Sequence, residues 1–118
     1  MEFNRLIKEN TTEEDDVQEE IMEEIASNRT GTCYVYLMID TTNNFHKIGI
    51  SNNPRYREHT LQSDKPTIEL VAAREYPTQL IAEAIEGALH KAYANKRIRG
   101  EWFNLDDEDV VNLKETLR

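Results

Sequence analysis

The chain has 118 residues, of which 38% are hydrophobic and 31% charged, and its formal net charge is −9. This length suits one domain with a single modest core. No apolar run is long enough to span a bilayer, and the first residues lack the basic-then-apolar pattern of a leader, so we expect a soluble, cytoplasmic protein. Cys33 is the only cysteine, which excludes an internal disulfide and a cysteine-rich zinc site.

The acidic charge is concentrated at the two ends of the chain. Residues 1–30 carry ten acidic and three basic side chains, residues 31–105 carry eight and nine, and residues 106–118 carry five and two. The middle of the chain is therefore close to neutral, and its basic residues suit a phosphate ligand. A solvated surface of mixed charge is the alternative, and composition does not decide between the two.

Residues 1–30 are predicted to form an acidic extension with one helix, from about residue 12 to residue 27. The apolar residues Val17, Ile21 and Ile25 are four apart and share one helical stripe. Three roles remain open for this helix. The first is to pack its narrow stripe on the domain, and the second is to bind a second copy or a protein partner. The third is to cover a basic site as an acidic mimic of nucleic acid.

Two strands, 34–39 and 45–50, are predicted on either side of a polar turn at residues 40–44. Alternation along the first strand places Tyr34 and Tyr36 on one face and aliphatic residues on the other. We expect the aliphatic face to meet the core. The other face is expected to keep the two phenol groups near water, where a reactive tyrosine has to be.

The remaining chain alternates between helical and extended patterns. A third strand is predicted at residues 67–76 and a basic loop at 95–100, followed by a short edge segment at 101–105. Helices are predicted at 54–62 after the capping Asn53, at 79–94 with a wide stripe of apolar residues facing the core, and after Asp106 or Asp107. This order predicts a small α/β (α+β) sandwich of three strands and covering helices.

Several of these residues have side chains suited to cleaving a phosphodiester. Glu86 is a carboxylate on a predicted helix and can hold one Mg²⁺ or Mn²⁺. Arg57 offers a planar fork that matches phosphate, and Lys47 supplies a second cation. A free phenol has a pKa of about 10, so Tyr36 is a base only where a cation lowers that value. His90, one turn after Glu86, is suited to orienting water, binding phosphate or transferring a proton.

Five segments, in this order, resemble motifs of the GIY-YIG nuclease superfamily. They match the branch, common in phages and bacteria, whose second tripeptide reads Lys-Ile-Gly and some of whose members are described as meiotically up-regulated gene 113-like. The segments are Tyr34-Val-Tyr36, Lys47-Ile-Gly49, Asn53-Pro-Arg-Tyr-Arg57, Glu86-Gly-Ala-Leu-His90 and Gly100-Glu-Trp-Phe103.

The resemblance implies a GIY-YIG-like domain over residues 31–118, with a three-stranded antiparallel sheet flanked by helices. It also implies a role for each matching residue. Tyr36 takes the place of the general base, Lys47 that of the second tyrosine and Gly49 that of the tightly packed glycine. Arg57 takes the place of the essential arginine, and Glu86 that of the ligand for a single Mg²⁺ or Mn²⁺. His90 and Trp102 match features of the branch. Tyr34 stands where the family name has glycine.

The predicted function is metal-dependent hydrolysis of DNA by an endonuclease of phage or mobile-element type. The residues expected to contact DNA flank the motifs and are Tyr34, Arg55, Lys91, Arg97 and Arg99. The alternative is a nucleic-acid- or protein-binding module that keeps the fold but has no turnover, regulated by its acidic helix.

Each candidate residue also has an ordinary structural interpretation. Tyr36 alone would more often be a packed strand residue, and Glu86 alone a solvated helix acid. Arg57 alone would more often form a surface ion pair. The nuclease hypothesis therefore requires that Tyr36, Lys47, Arg57 and Glu86 share one small pocket, and a Glu86 side chain on the far side of the sheet from Tyr36 would contradict it.

Overall fold

A computed structural model describes residues 31–118, so the helix predicted at residues 12–27 lies outside the described residues. Five strands and three α-helices follow one another, with a short 3-10 turn before the fourth strand. In chain order they are β1 (Cys33–Asp40), β2 (Phe45–Ser51), α1 (Pro54–Gln62), β3 (Ile68–Tyr76), α2 (Gln79–Ala92), β4 (Arg97–Arg99), β5 (Trp102–Phe103) and α3 (Asp107–Thr116).

The strands form one antiparallel sheet in the order β3-β1-β2-β5-β4. The prediction of a three-stranded sheet is therefore wrong, although the class remains α+β. The predicted basic loop at residues 95–100 contains β4, and Gly100, with a φ of 57°, closes the tight turn to β5. β5 then pairs with the outer edge of β2, where Trp102 lies opposite Lys47. This pairing covers backbone groups that a three-stranded sheet would leave exposed.

Each of these three helices begins after a capping residue whose side chain accepts a hydrogen bond from a backbone amide of the first turn. Asn53 accepts from the Tyr56 amide at the start of α1, and Thr78 accepts from the Ile81 amide at the start of α2. Asp106 forms a reciprocal capping box at the start of α3. The predictions of these three helices are confirmed.

Helices cover both faces of the sheet. On one face α1 packs through Leu61 against Tyr36, Met38 and Ile68. On the other face α2 and α3 pack against the alternate residues of β1 and β2, in a cluster formed by Cys33, Val35, Leu37, Ile48, Ala82, Phe103, Leu105, Leu113 and Leu117. β1 is therefore buried on both sides, and Tyr36 is only 1% exposed. The prediction that this phenol lies near water is wrong, because α1 covers that face.

The apolar stripe of α2 also differs from its prediction. Ile85 and Leu89 pack against the core, and Ala82 is buried. Leu80 and Ile81, which were predicted to face the core, are instead 75% and 41% exposed. Among residues 31–118, no helix is both long enough and apolar enough to cross a bilayer.

Candidate functional site

Gly49 is the point at which the candidate residues meet. It lies in β2 directly opposite Tyr36 in the β1–β2 pair. A Cβ built on Gly49 would lie 2.6 Å from the Tyr36 Oη and 2.9 Å from a carboxylate oxygen of Glu101. The missing side chain of Gly49 thus allows the phenol and this carboxylate to lie next to each other over the strand.

Lys47 and Glu101 form a half-buried ion pair beside this point. The Lys47 Nζ is 3.1 Å from the Glu101 Oε1, and the lysine side chain is 10% exposed whereas that of Glu101 is 42% exposed. The ammonium group is also 5.8 Å from the centre of the Trp102 ring, which adds a cation–π contact. Because a buried ammonium needs a counter-charge, the contact with Glu101 offsets the cost of burying the Lys47 side chain.

The carboxyl groups of Glu86 and Glu101 face each other. Burial, the negative charge of Glu101 and a hydrogen bond to Glu101 together raise the pKa of Glu86 to about 7, against the lowering effect of Lys47. A hydrogen bond between two carboxyl groups requires a shared proton. Glu86 therefore gains and loses its proton close to neutral pH, and a cation that bound both carboxyl groups would displace this proton.

His90 is anchored to the strand that carries Lys47 and Gly49. Its Nε2 is 2.8 Å from the Ile48 carbonyl oxygen, to which it donates a hydrogen bond, and 3.8 Å from the Glu86 Oε2. The ring also meets the edge of Phe103 at a centroid distance of 5.0 Å. These contacts fix the imidazole beside the Glu86 carboxyl group.

Glu86 and Tyr36 come from opposite sides of the sheet, so the prediction that both side chains project into one pocket from the same side is wrong. Glu86 projects from α2, which covers one face, whereas Tyr36 lies on the face covered by α1. Glu101 connects them, because its carboxylate contacts Glu86 and Lys47 and lies beside the Tyr36 Oη. β5 pairs with β2 at His46 and Lys47, and the Ile48 amide then donates to the Glu101 carbonyl oxygen at 3.1 Å. The two sides therefore meet at the edge of β2, beside this last bond.

Arg57 lies on the same side of the sheet as Tyr36. It is buried on α1, one turn before Leu61, which packs against Tyr36. α1 thus directs both residues toward the sheet, as the sequence pattern predicts. Trp102 packs against the same cluster, in keeping with its prediction as a structural residue.

The residues predicted to contact DNA are spread over the surface. Arg55 pairs with Glu58 at 3.3 Å, and Lys91 lies on the exposed side of α2. Arg97 and Arg99 are on the edge strand β4, where the Arg97 Nε donates to the Gly100 carbonyl oxygen at 2.7 Å. Tyr34 is half-buried in β1.

Glu101 is the site residue that the sequence analysis missed. It was included in the Gly100-Glu-Trp-Phe103 motif but was given no chemical role. Its position immediately before a Trp-Phe pair was the available signal, since paired aromatic residues fix the backbone before them. Only the pairing of β5 with β2 shows that its carboxylate reaches Lys47.

The donor set fits a divalent cation held by one or two carboxylates. Mg²⁺ and Mn²⁺ prefer carboxylate oxygen, and Mg²⁺ usually keeps several of its waters. Glu86 and Glu101 offer such oxygens side by side, and their mutual repulsion would be relieved by a cation. Residues 31–118 contain no group of three or more histidine, cysteine, aspartate or glutamate side chains arranged for a metal, so water and phosphate would complete the coordination.

Comparison with known families assigns residues 31–118 to a defined domain family. A family model described as the T5orf172 domain matches residues 31–118. The chain belongs to the T5orf172 domain family. This match corrects the assignment to the GIY-YIG superfamily, which the tripeptide motifs had suggested. No curated protein and no solved structure matches the chain. Membership of this family is consistent with a nucleic-acid-related role.

Proposed function

We propose that the chain is a nuclease that hydrolyses DNA phosphodiester bonds with the help of one divalent cation, Mg²⁺ or Mn²⁺. The observation that supports this proposal is the meeting of Tyr36, Lys47, Glu86 and Glu101 beside Gly49. A phenol, an ammonium and two carboxyl groups are distant in sequence but adjacent in the fold. Such a combination supplies a proton acceptor, a counter-charge for phosphate and oxygen ligands for a cation.

The cationic side chains are proposed to bind the phosphate group. Lys47 is buried and charged, so its interaction with a phosphate oxygen would be weakly screened. Arg57 is directed toward the sheet from α1 and offers two parallel N–H donors. Together they would neutralise charge that develops on the phosphate as the bond breaks. Exposed Arg55, Arg97 and Arg99 would bind the DNA backbone farther away.

Tyr36 and His90 are proposed to act on the attacking water. Tyr36 accepts its proton, and His90 orients it. The Tyr36 Oη and the Glu101 carboxylate both lie against the Gly49 Cα, so the proposed proton acceptor is on the same part of β2 as the carboxylate. The His90 Nε2 is occupied by the Ile48 carbonyl, so its role is to support Glu86 and to orient water through the other ring nitrogen. A divalent cation bound at Glu86 and Glu101 would lower the pKa of a water molecule bound to it and would place positive charge next to the phosphate.

Plasmid nicking in the presence of Mg²⁺ or Mn²⁺ tests the proposal. We expect the full chain to convert supercoiled plasmid to the nicked form and the Glu86→Ala and Arg57→Ala variants to lose this activity. Glu108→Ala is the matched control, because this exposed acid lies on α3 away from Gly49. Unchanged cutting by both site variants would rule out this site.

A binding module without turnover is the second candidate. The burial of Tyr36 and the neutralisation of Lys47 by Glu101 favour it, because both groups need rearrangement before they meet a substrate. Salt-dependent DNA binding without cleavage at any metal concentration would support this function over the nuclease.

A further inference from the structure

Trp102 has an indole ring that is only partly covered by the protein. One part of the ring packs against the cluster around Tyr36 and Leu61 on the α1 side of the sheet, and the side chain as a whole is half-buried. An aromatic ring that is partly open can receive another flat group on its face. Trp102 is also the only tryptophan of the chain.

Cationic residues surround this ring. In the sheet, Trp102 lies opposite Lys47 of β2 on one side and opposite Arg99 of β4 on the other. Directly opposed residues of an antiparallel sheet share a face, so these three residues form one row across the sheet. Lys65, in the loop after α1, approaches the same ring, with its Nζ 6.0 Å from the ring centre compared with 5.8 Å for the Lys47 Nζ. We call Trp102, Lys65 and Arg99 the Trp102 platform.

Two of these cations are suited to binding a phosphate. Lys47 is paired with Glu101, whereas Lys65 and Arg99 are exposed and form no ion pair within residues 31–118. The contact between an exposed ammonium group and a ring is weaker than the stacking of a base on that ring. A base can therefore take the place of the Lys65 ammonium on the indole, and the displaced ammonium can bind the phosphate of the same nucleotide.

We propose that the Trp102 platform binds an unpaired nucleotide of single-stranded DNA, with its base stacked on the indole and its phosphates bound by Lys65 and Arg99. This inference rests on the DNA-cleaving function proposed above and narrows its substrate class. Bases inside a duplex are covered on both faces by their neighbours, so only an unpaired base can stack on a side chain. Because every base has an aromatic face, the platform accepts any sequence.

The Trp102 platform lies next to the Gly49 site. Lys47, which is opposite Trp102, and Gly49 are two residues apart in β2 and share a face, which separates their Cα atoms by about 7 Å. A nucleotide stacked on Trp102 would therefore be close to the phosphate held beside Gly49. The preferred substrates would be single strands, flaps and frayed ends rather than continuous duplex.

Intrinsic fluorescence tests this binding directly, because Trp102 is the only source of tryptophan emission. The full chain is titrated with a short oligothymidine in buffer that contains a metal chelator, so that no cleavage occurs. We expect saturable quenching, since a stacked base lies in contact with the indole. A blunt-ended duplex of the same length should leave the emission nearly unchanged, even where it binds through its phosphates.

Variants separate stacking from the structural contact of Trp102. Affinity for a labelled oligothymidine, measured by fluorescence anisotropy, should fall about tenfold or more in Trp102→Leu and be largely restored in Trp102→Phe, which keeps an aromatic face. Thermal unfolding checks that both variants fold.

The role of Lys65 is tested by the salt dependence of binding. Lys65→Gln should weaken binding and reduce the slope of log affinity against log salt by about one, as the loss of one phosphate contact does. Lys114→Gln is the matched control, because Lys114 is an exposed lysine on α3, which packs on the other face of the sheet. It should leave both affinity and slope unchanged.

Four results would overturn the proposal. They are an emission that oligothymidine does not change, equal quenching by the blunt duplex, equal affinities of folded Trp102→Leu and Trp102→Phe, and a Lys65→Gln variant that behaves like Lys114→Gln. Tighter binding of oligouridine than of oligothymidine would assign the platform to RNA instead of DNA. None of these measurements depends on cleavage, so a failure of plasmid nicking alone would count against the nuclease and not against the platform.

Discussion

At the scale of single residues, Gly49 determines whether the candidate site can form. Its position opposite Tyr36 leaves no space for a side chain, since a Cβ would lie 2.6 Å from the phenol oxygen and 2.8 Å from the Cζ. The tyrosine is buried and its ring is rigid, so it has little freedom to move away.

The Gly49→Ala change should therefore destabilise the fold by about 1–3 kcal/mol, as overpacking typically does. Urea unfolding measures this effect. Removing the Oη with Tyr36→Phe should reduce the cost of the alanine, because the closest contact is lost. An equal cost in the tyrosine and phenylalanine backgrounds would show that this contact does not exclude the alanine.

Glu86 should make stability depend on pH. Its pKa is about 7 in the folded chain and near 4.5 in the unfolded chain. The folded state binds more protons between these values, so the free energy of unfolding falls as pH rises from about 4.5 to 7. The expected loss is about 1–2 kcal/mol, after allowance for partial exposure and for the interaction with Glu101.

Unfolding measured across this pH range, in buffer containing a metal chelator, tests the prediction. The Glu86→Gln variant keeps a hydrogen-bonding group of similar shape but does not titrate. Its stability should lack this component of the pH dependence. If the free energy of unfolding of the variant falls with pH as steeply as that of the natural sequence, a group other than Glu86 causes the pH dependence.

At the scale of elements, the caps and the hairpin could be predicted from sequence because they depend on local chemistry. Asn53, Thr78 and Asp106 each accept the bond that their residue type predicts. Two features could not be predicted. The strand at 97–99 reads as a basic loop until its pairing with β5 is known, and the exposed side of α2 reads as core because it is apolar.

The capping box of α3 gives a prediction at this scale. Asp106 accepts from the Asp109 amide at 2.9 Å and its own amide donates to the Asp109 carboxylate at 3.1 Å. Asp106 also forms an ion pair with Lys96 at 3.3 Å. Asp106→Ala should therefore reduce stability by about 0.5–2 kcal/mol.

Asp107→Ala is the comparison, because Asp107 is an exposed acid in the same first turn but is not the cap. Thermal unfolding of the two variants separates the cap from the general effect of an acid near the helix N-terminus. Equal losses in both variants would mean that the capping bonds contribute little.

At the scale of the whole molecule, sequence identified most of the candidate residues but not how they are connected. Tyr36, Lys47, Glu86 and His90 were chosen for their chemistry and motif order. Their meeting depends on long-range pairing of β5 with β2, which brings Glu101 to Lys47. A short strand of two residues has no periodicity to predict its partner, so Glu101 received no role from sequence.

The whole-molecule architecture places Glu86 and Tyr36 on opposite faces of the sheet. β5 pairs with β2 as far as Lys47, and the Ile48 amide donates to the Glu101 carbonyl oxygen beyond it. These bonds hold Glu101 at the edge of the sheet, where its side chain contacts Lys47 and Glu86. The candidate site is thus a property of the edge of the sheet.

Titration of Mn²⁺ into the full chain, followed by NMR line broadening, tests the proposed site most directly. A cation held by Glu86 and Glu101 should broaden the amide signals of Gly49, Glu86 and Glu101 first, and the Glu86→Gln variant should need far more Mn²⁺ for the same effect. Broadening that begins at the exposed acids of α3 and leaves Gly49 unaffected would contradict a metal site at the edge of β2.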